Sequence, residues 1–188
     1  NDEYITSEHG EAITSVKKIT ISEVAGYLNF INSSLSGEEF AQLAFVHGRQ
    51  CVIQATMSMP TGYDVAHGTE AYFMVELYKD ESDWLRFGMR RDGTNNAQAY
   101  LERNIDGEFS ESILDDTDLD NASHVYRIIV SESNITMYLD NTICSEVSIE
   151  NLTRYNVRLV AGVGEDGDTL DARCTKFVAL NYIPWDLI

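Results

Sequence analysis

The sequence predicts an all-β domain of short antiparallel strands, a sandwich or a barrel. Three observations carry this. Val, Ile and Thr are plentiful, and ten Tyr, seven Phe and two Trp stand against only two Pro; β-branched and aromatic residues suit a pleated, half-buried surface. Apolar and polar residues alternate with period two, most clearly between residues 71 and 103. Clusters of Gly, Asn and Asp punctuate the alternation at regular intervals, as turns do. Helical spacing is weak and confined to Gly37–Phe45, enough for one turn.

Residues 1–25 read as an N-terminal arm or edge strand, with a leading strand around Ile13–Ile21, and 26–188 as a single sandwich domain. Gly26–Ile31 is the first clear strand, Ser36–Glu39 a turn, and Ala41–Val46 and Gln50–Met59 two further strands. Pro60–Gly68 is a loop, because Pro and Gly supply turn geometry. Ala71–Tyr78 sets Phe73, Val75 and Leu77 on one face and Tyr72, Met74, Glu76 and Tyr78 on the other. Trp84–Arg90 sets Leu85, Phe87 and Met89 inward and Trp84, Arg86, Gly88 and Arg90 outward. Ala97–Arg103 turns Ala99 and Leu101 inward and Gln98, Tyr100 and Glu102 outward. Asp106-Gly107 marks a turn and Asp115–Asn121 an acidic loop. Tyr126, Ile128 and Val130 alternate in the next strand, and Ile135, Met137 and Leu139 in its hairpin partner, closed by Asp140-Asn141. Val157–Val163 and Cys174–Tyr182 complete the series.

The chain's 188 residues fit one domain with an ample core. Thirteen basic side chains against 31 acidic ones give a formal charge of −18. That balance argues against nucleic-acid binding, which requires neutralising phosphates, and against anionic membrane surfaces. No apolar run approaches the roughly 20 residues that span a bilayer, so membrane insertion is not expected. The chain opens on Asn1 without a visible signal peptide and reads as a mature or excised piece. Cys51, Cys144 and Cys174 form no CxxC motif and read as small buried hydrophobes.

His124–Val130 followed by Ile135–Asn141 resembles a recurring hairpin of concanavalin A-like jelly rolls, with Asn141 where Gly is usual. Val157–Gly162, then Gly167-Asp168-Thr169-Leu170-Asp171-Ala172 and Phe177-Val178-Ala179, is similar to the closing strands of those domains. The superfamily includes legume-type lectins, laminin-G-like domains, glycan-binding modules and family 16-type glucanases. The resemblance implies an antiparallel two-sheet jelly-roll β-sandwich, a ligand on the concave sheet face, and an extracellular or cell-surface setting within a larger protein. It constrains fold more than function, since one fold hosts many activities.

The glucanase branch carries its carboxylates as E-x-D-x-x-E or E-x-D-x-E on one strand, where period two aligns them on one face. Glu76-Leu77-Tyr78-Lys79-Asp80-Glu81 has the wrong spacing, Asp106–Glu111 straddles a turn, and Asp116-Thr117-Asp118-Leu119-Asp120 sits in a loop. No GxSxG, HExxH, P-loop or GxGxxG motif occurs. An enzyme is therefore not expected. The leading expectation is a non-catalytic carbohydrate-binding module or lectin-like domain whose partner is a polysaccharide or oligosaccharide. The alternatives are a laminin-G-like protein-interaction or adhesion domain, and a glycoside hydrolase with an unconventional carboxylate pair.

The candidate ligand-binding residues are Trp84, Arg86, Arg90, Gln98, Tyr100 and Tyr72, with Tyr63 from the loop 60–69 at the rim. Aromatic rings cover the apolar faces of a sugar, and charged or amide groups hydrogen-bond its hydroxyls. The plainer reading of the same residues is a solvated sheet face with cross-strand Arg–Glu pairs. Two acidic clusters, containing Asp116, Asp118 and Asp120, and Asp168 and Asp171, offer oxygen ligands for a structural calcium, which many related jelly rolls hold. Read alone, they are solvated acidic loops; the EF-hand template fails, with Asn121 where Gly is required and Arg127 where Glu is.

Overall fold

The computed structural model describes residues 19–24, 26–32, 37–48, 50–59, 71–91, 97–115, 119, 122–148, 154–164 and 170–180, with backbone only for 19–24, 32 and 44–48. Among these residues there are thirteen strands and no helix: β1 (Ile19–Val24), β2 (Tyr27–Asn32), β3 (Gly37–Gly48), β4 (Cys51–Ser58), β5 (Ala71–Asp80), β6 (Asp83–Arg91), β7 (Ala97–Ile105), β8 (Glu108–Asp115), β9 (His124–Val130), β10 (Asn134–Leu139), β11 (Thr142–Ser148), β12 (Arg154–Val163) and β13 (Asp171–Leu180).

They form two antiparallel sheets. One has seven strands in the order β1-β2-β13-β4-β9-β10-β11, the other six in the order β3-β12-β5-β6-β7-β8. Chain neighbours such as β5, β6, β7 and β8 pair as a meander, while β12 and β13 each enter the interior of a sheet beside strands from the opposite half of the chain. This is a jelly-roll β-sandwich.

The inward residues of the alternating strands make the core. Phe73, Val75, Leu77, Leu85, Phe87 and Met89 come from one sheet and Ile53, Ala55, Met57, Tyr126, Ile128 and Met137 from the other, all buried in one cluster. Rings join the layers: Phe30 meets Phe73 at 4.9 Å and Phe87 meets Tyr126 edge-on at 5.2 Å. Each such side chain contributes roughly 1.5–3 kcal/mol through removal from water.

The turns follow their residues. Ile105 pairs with Glu108 across Asp106-Gly107, both with positive φ (54° and 82°), the backbone of a two-residue primed hairpin. Leu139 pairs with Thr142 across Asp140-Asn141 in the same manner, φ 48° and 71°; Asn tolerates this region, so the departure from Gly costs the hairpin little. In the β5–β6 turn, Asp80 Oδ1 accepts the Ser82 and Asp83 amides.

Some expectations are corrected. Gly37–Glu39 is not a turn and Gly37–Phe45 has no helical turn, because β3 pairs with β12 from Val163↔Gly37 to Arg154↔Gly48, and that ladder overrides local spacing. The first described strand is Ile19–Val24, which overlaps the end of the expected Ile13–Ile21; residues 13–18 lie outside the described residues. Strands β8 and β11 were unexpected. Both are edge strands, and their inward positions are weakly apolar (Ser110 and Ser112 in β8), so period two is faint. Cys51 and Cys174 are buried as expected, but Cys144 is only half-buried; all three are free thiols.

Candidate functional site

The outer face of the six-stranded sheet carries the chemistry. Register sets its residues in rows across the strands. One row runs Gln42, Arg158, Glu76, Arg86, Glu102, Glu111 from β3 to β8. A second, along one side of it, runs Asn156, Tyr78, Trp84, Asn104, Phe109. On the other side lie Phe40, Val160, Met74, Gly88, Tyr100 and Ile113, and beyond them Glu38, Gly162, Tyr72, Arg90 and Gln98.

Arg86 is the hub. Its Nε donates to Glu76 Oε1 at 2.8 Å, Nη2 to Glu38 Oε1 at 2.9 Å, and Nη1 reaches Glu38 Oε2 at 2.8 Å and Glu102 Oε2 at 3.9 Å. Arg90 Nη1 donates to Glu111 Oε2 at 2.6 Å and Glu102 Oε1 at 3.1 Å. Arg158 donates to Gln42 Oε1 at 2.8 Å and Glu76 Oε2 at 3.4 Å. Glu38 also accepts from the Tyr72 hydroxyl at 2.5 Å. Three guanidinium groups and four carboxylates thus form one linked network.

The Arg86–Glu38 pair also reports the shape of the sheet. Three strand spacings and four residues of strand separate the two positions, about 14 Å by about 13 Å in a flat sheet. One arginine and one glutamate side chain do not bridge that diagonal, so the twist of the sheet draws the two positions together.

The guanidinium groups lie on rings: Arg86 over Trp84 at 4.6 Å and Tyr72 at 5.8 Å, Arg90 over Tyr100 at 4.7 Å, and Arg158 over Tyr78 at 3.6 Å and Phe40 at 4.2 Å. Phe109, 58% exposed on edge strand β8, packs 6.0 Å from Trp84. The Tyr72 ring crosses Gly162, where an added Cβ would fall 2.2 Å from the ring. Glycine there is what lets Tyr72 lie down and reach Glu38.

Burial sets the electrostatics. The Glu76 side chain is only 2% exposed, and burial raises its pKa above the ordinary carboxylate range against the opposing pull of Arg86 and Arg158. Glu102 is raised for the same reason, opposed by Arg90 and Arg86. Burial works to lower the Arg86 pKa, but the Glu76 and Glu38 charges outweigh it and hold the group above its usual value. Burial, then the Glu38 charge, raises the Tyr72 phenol.

The structure thus brings together Trp84, Arg86, Arg90, Gln98, Tyr100 and Tyr72, six of the seven expected ligand-binding residues. Tyr63 lies outside the described residues, as do Asp116, Asp118, Asp120 and Asp168. Asp171 is described and buried; its carboxylate pairs with Arg173 at 2.7 Å and, with the Asn29 amide oriented to suit its neighbours, accepts from Asn29 at 2.8 Å. A calcium ion at Asp171 would have to displace that pair. Among the described residues no group of three or more His, Cys, Asp or Glu side chains is placed to hold a metal.

Sequence reasoning missed Glu38, Phe40, Gln42, Glu111, Phe109 and Arg158 as members of the face. Arg158 was legible, since it alternates with Val157 and Leu159; the others stand on strands whose extent the sequence hid. The cross-strand Arg–Glu pairing of the plainer reading is present, and it shares the face with the aromatic rings.

Two antiparallel sheets of this order, packed face to face, make a jelly-roll β-sandwich of the concanavalin A-like fold. The solved structures similar to this chain include the carbohydrate binding module CBM66 from Bacillus subtilis (11% identity, 86% of this chain and 91% of that one, TM-score 0.62) and the Emp46p carbohydrate recognition domain in metal-free form (10%, 88% and 87%, 0.65). An endo-β-1,3-glucanase from Pyrococcus furiosus is similar as well (13%, 87% and 78%, 0.64). At these identities the likeness is one of fold. No family model and no curated protein matches the chain.

Proposed function

We propose that this chain is a non-catalytic carbohydrate-binding domain whose glycan lies across the outer face of the six-stranded sheet. The observation that carries this reading is the convergence of Trp84, Tyr72, Tyr78, Tyr100 and Phe109 with an Arg–Glu network on one outer face. Rings present apolar surface to a pyranose and the network presents fixed donors and acceptors to its hydroxyls. The fold's occurrence in a carbohydrate binding module and a carbohydrate recognition domain supports it. Such a function suits an extracellular or cell-surface location within a larger protein, which fractionation of the source cells checks. Affinity electrophoresis through gels containing single polysaccharides tests the binding. Retardation by at least one polysaccharide is expected, and its reduction in Trp84→Ala; migration unchanged by every polysaccharide would refute the reading.

One observation favours a second reading. Glu76 and Glu102 are two buried carboxylates on one face, each raised in pKa by burial, and a raised carboxyl is what a general acid requires. Register puts them two strands apart, about 10 Å between backbones. Each carboxylate is tied to guanidinium groups, which opposes protonation. Release of reducing sugar from a β-1,3-1,4-glucan, abolished by Glu76→Gln, would replace the binding reading with hydrolysis.

A further inference from the structure

The face is layered by charge. The arginines are recessed: the Arg86, Arg90 and Arg158 side chains are 13%, 11% and 14% exposed. The outermost charged groups are carboxylates, Glu38 at 37% and Glu111 at 45%. They stand on opposite edge strands, β3 and β8, so they flank the face from both sides. Each caps a guanidinium group: Glu38 takes both terminal nitrogens of Arg86, and Glu111 sits on Arg90 Nη1 at 2.6 Å. Among the described residues four carboxylates stand against three guanidinium groups in the network, one negative charge in excess. A ligand arriving here meets acceptors first.

Resting on the carbohydrate-binding reading above, we infer that Glu38 and Glu111 are specificity-determining residues that admit neutral, hydroxyl-rich glycans and exclude glycans bearing carboxylate or sulfate. A sugar hydroxyl donates to either carboxylate without displacing its arginine. An anionic substituent is repelled by the outer carboxylates and can take the Arg86 terminal nitrogens or Arg90 Nη1 only by leaving Glu38 or Glu111 without its partner. Selectivity here comes from a repulsive element built into the site.

The test measures binding of a neutral β-1,3-1,4-glucan and of polygalacturonate by the wild type, by Glu38→Gln/Glu111→Gln, and by Glu111→Gln alone. The single variant changes only an exposed edge residue, and melting curves verify the fold of all three proteins. The wild type is expected to bind the neutral glucan and not polygalacturonate. The double variant is expected to gain polygalacturonate affinity on the order of tenfold or more, since removing like charge at close range has that scale, and the single variant is expected to gain part of it. Neutral-glucan affinity should fall in the double variant, since each amide accepts a sugar hydroxyl more weakly than the carboxylate it replaces, so the polygalacturonate-to-glucan affinity ratio rises. Wild-type preference for polygalacturonate would overturn the inference and leave the binding reading intact. A double variant that still rejects polygalacturonate would also overturn it. Failure of the wild type to bind either probe or any other glycan would overturn the binding reading, and this inference with it.

Discussion

The two sheets share a core but expose different outer faces. On the seven-stranded sheet, Arg127 bonds only neutral amides, Gln54 and Asn141, and Thr136 bonds Glu146. Its Arg–Asp pair, Arg173–Asp171, stands toward one edge with Arg173 over Tyr27 at 5.4 Å. Val52, Ile129 and Val178 are buried between these polar groups. On the six-stranded sheet, seven charges and six rings interlock across all six strands. The lesson is that a charge of −18 averaged over the chain says little about a site. What distinguishes the second face is that its charges are paired, half-buried and fixed in place by stacking.

The largest expected effect separates the faces by stability. Arg86→Ala strips the hub and leaves Glu76 buried with only Arg158 near it. A loss on the order of 3 kcal/mol is expected in urea denaturation, against about 1 kcal/mol or less for Arg127→Ala. Equal losses would erase the contrast.

A smaller effect sharpens it within the site. Gly162→Ala places a methyl group where the Tyr72 ring lies and should break the Tyr72–Glu38 bond. Loss of one such bond is worth about 0.5–1.5 kcal/mol of stability, so the melting temperature should fall by roughly 2–4 °C, and glycan affinity should fall a few-fold because the Tyr72 ring is displaced. Unchanged affinity in a calorimetric titration would remove Tyr72 from the site.

The smallest effects concern pH. The folded-state pKa of Glu76 lies above its unfolded value, so its stabilising contribution is complete below roughly pH 4.3 and is lost as pH rises through the folded pKa. Relative to Glu76→Gln, the wild-type melting temperature should therefore decline as pH rises from about 4. Asp83 has the opposite sign. The Asp106 amide and then Lys79 hold its pKa below the ordinary value, so its contribution is present above roughly pH 3.9 and is lost as pH falls through the folded pKa. Asp83→Asn should lower stability at neutral pH and converge on the wild type as pH falls through the folded pKa, which flattens the acid side of the profile.

The fold was legible because period two reports which side of a strand is buried, and β5, β6, β7, β9 and β10 each have one buried and one polar side. Half of the site was legible for the same reason: Trp84, Arg86, Arg90, Gln98, Tyr100 and Tyr72 share a parity on strands that are neighbours in the chain. Glu38 and Arg158 reach the same network from strands far away in sequence, and only the sheet order β3-β12-β5-β6 brings them there. No local pattern encodes that order. Glu111 and Phe109 were hidden differently, since an edge strand with little to bury has a weak alternation to read.

The account's central claim is that recognition belongs to the six-stranded sheet alone, and each outer face offers a half-buried aromatic residue to test it. Isothermal titration of a glycan retained by the wild type should show at least a tenfold loss for Trp84→Ala, since a stacked ring is commonly worth more than about 1.4 kcal/mol at a binding hot spot, and no change for Tyr138→Ala on the seven-stranded sheet. Loss of binding in Tyr138→Ala with Trp84→Ala unaffected would contradict it.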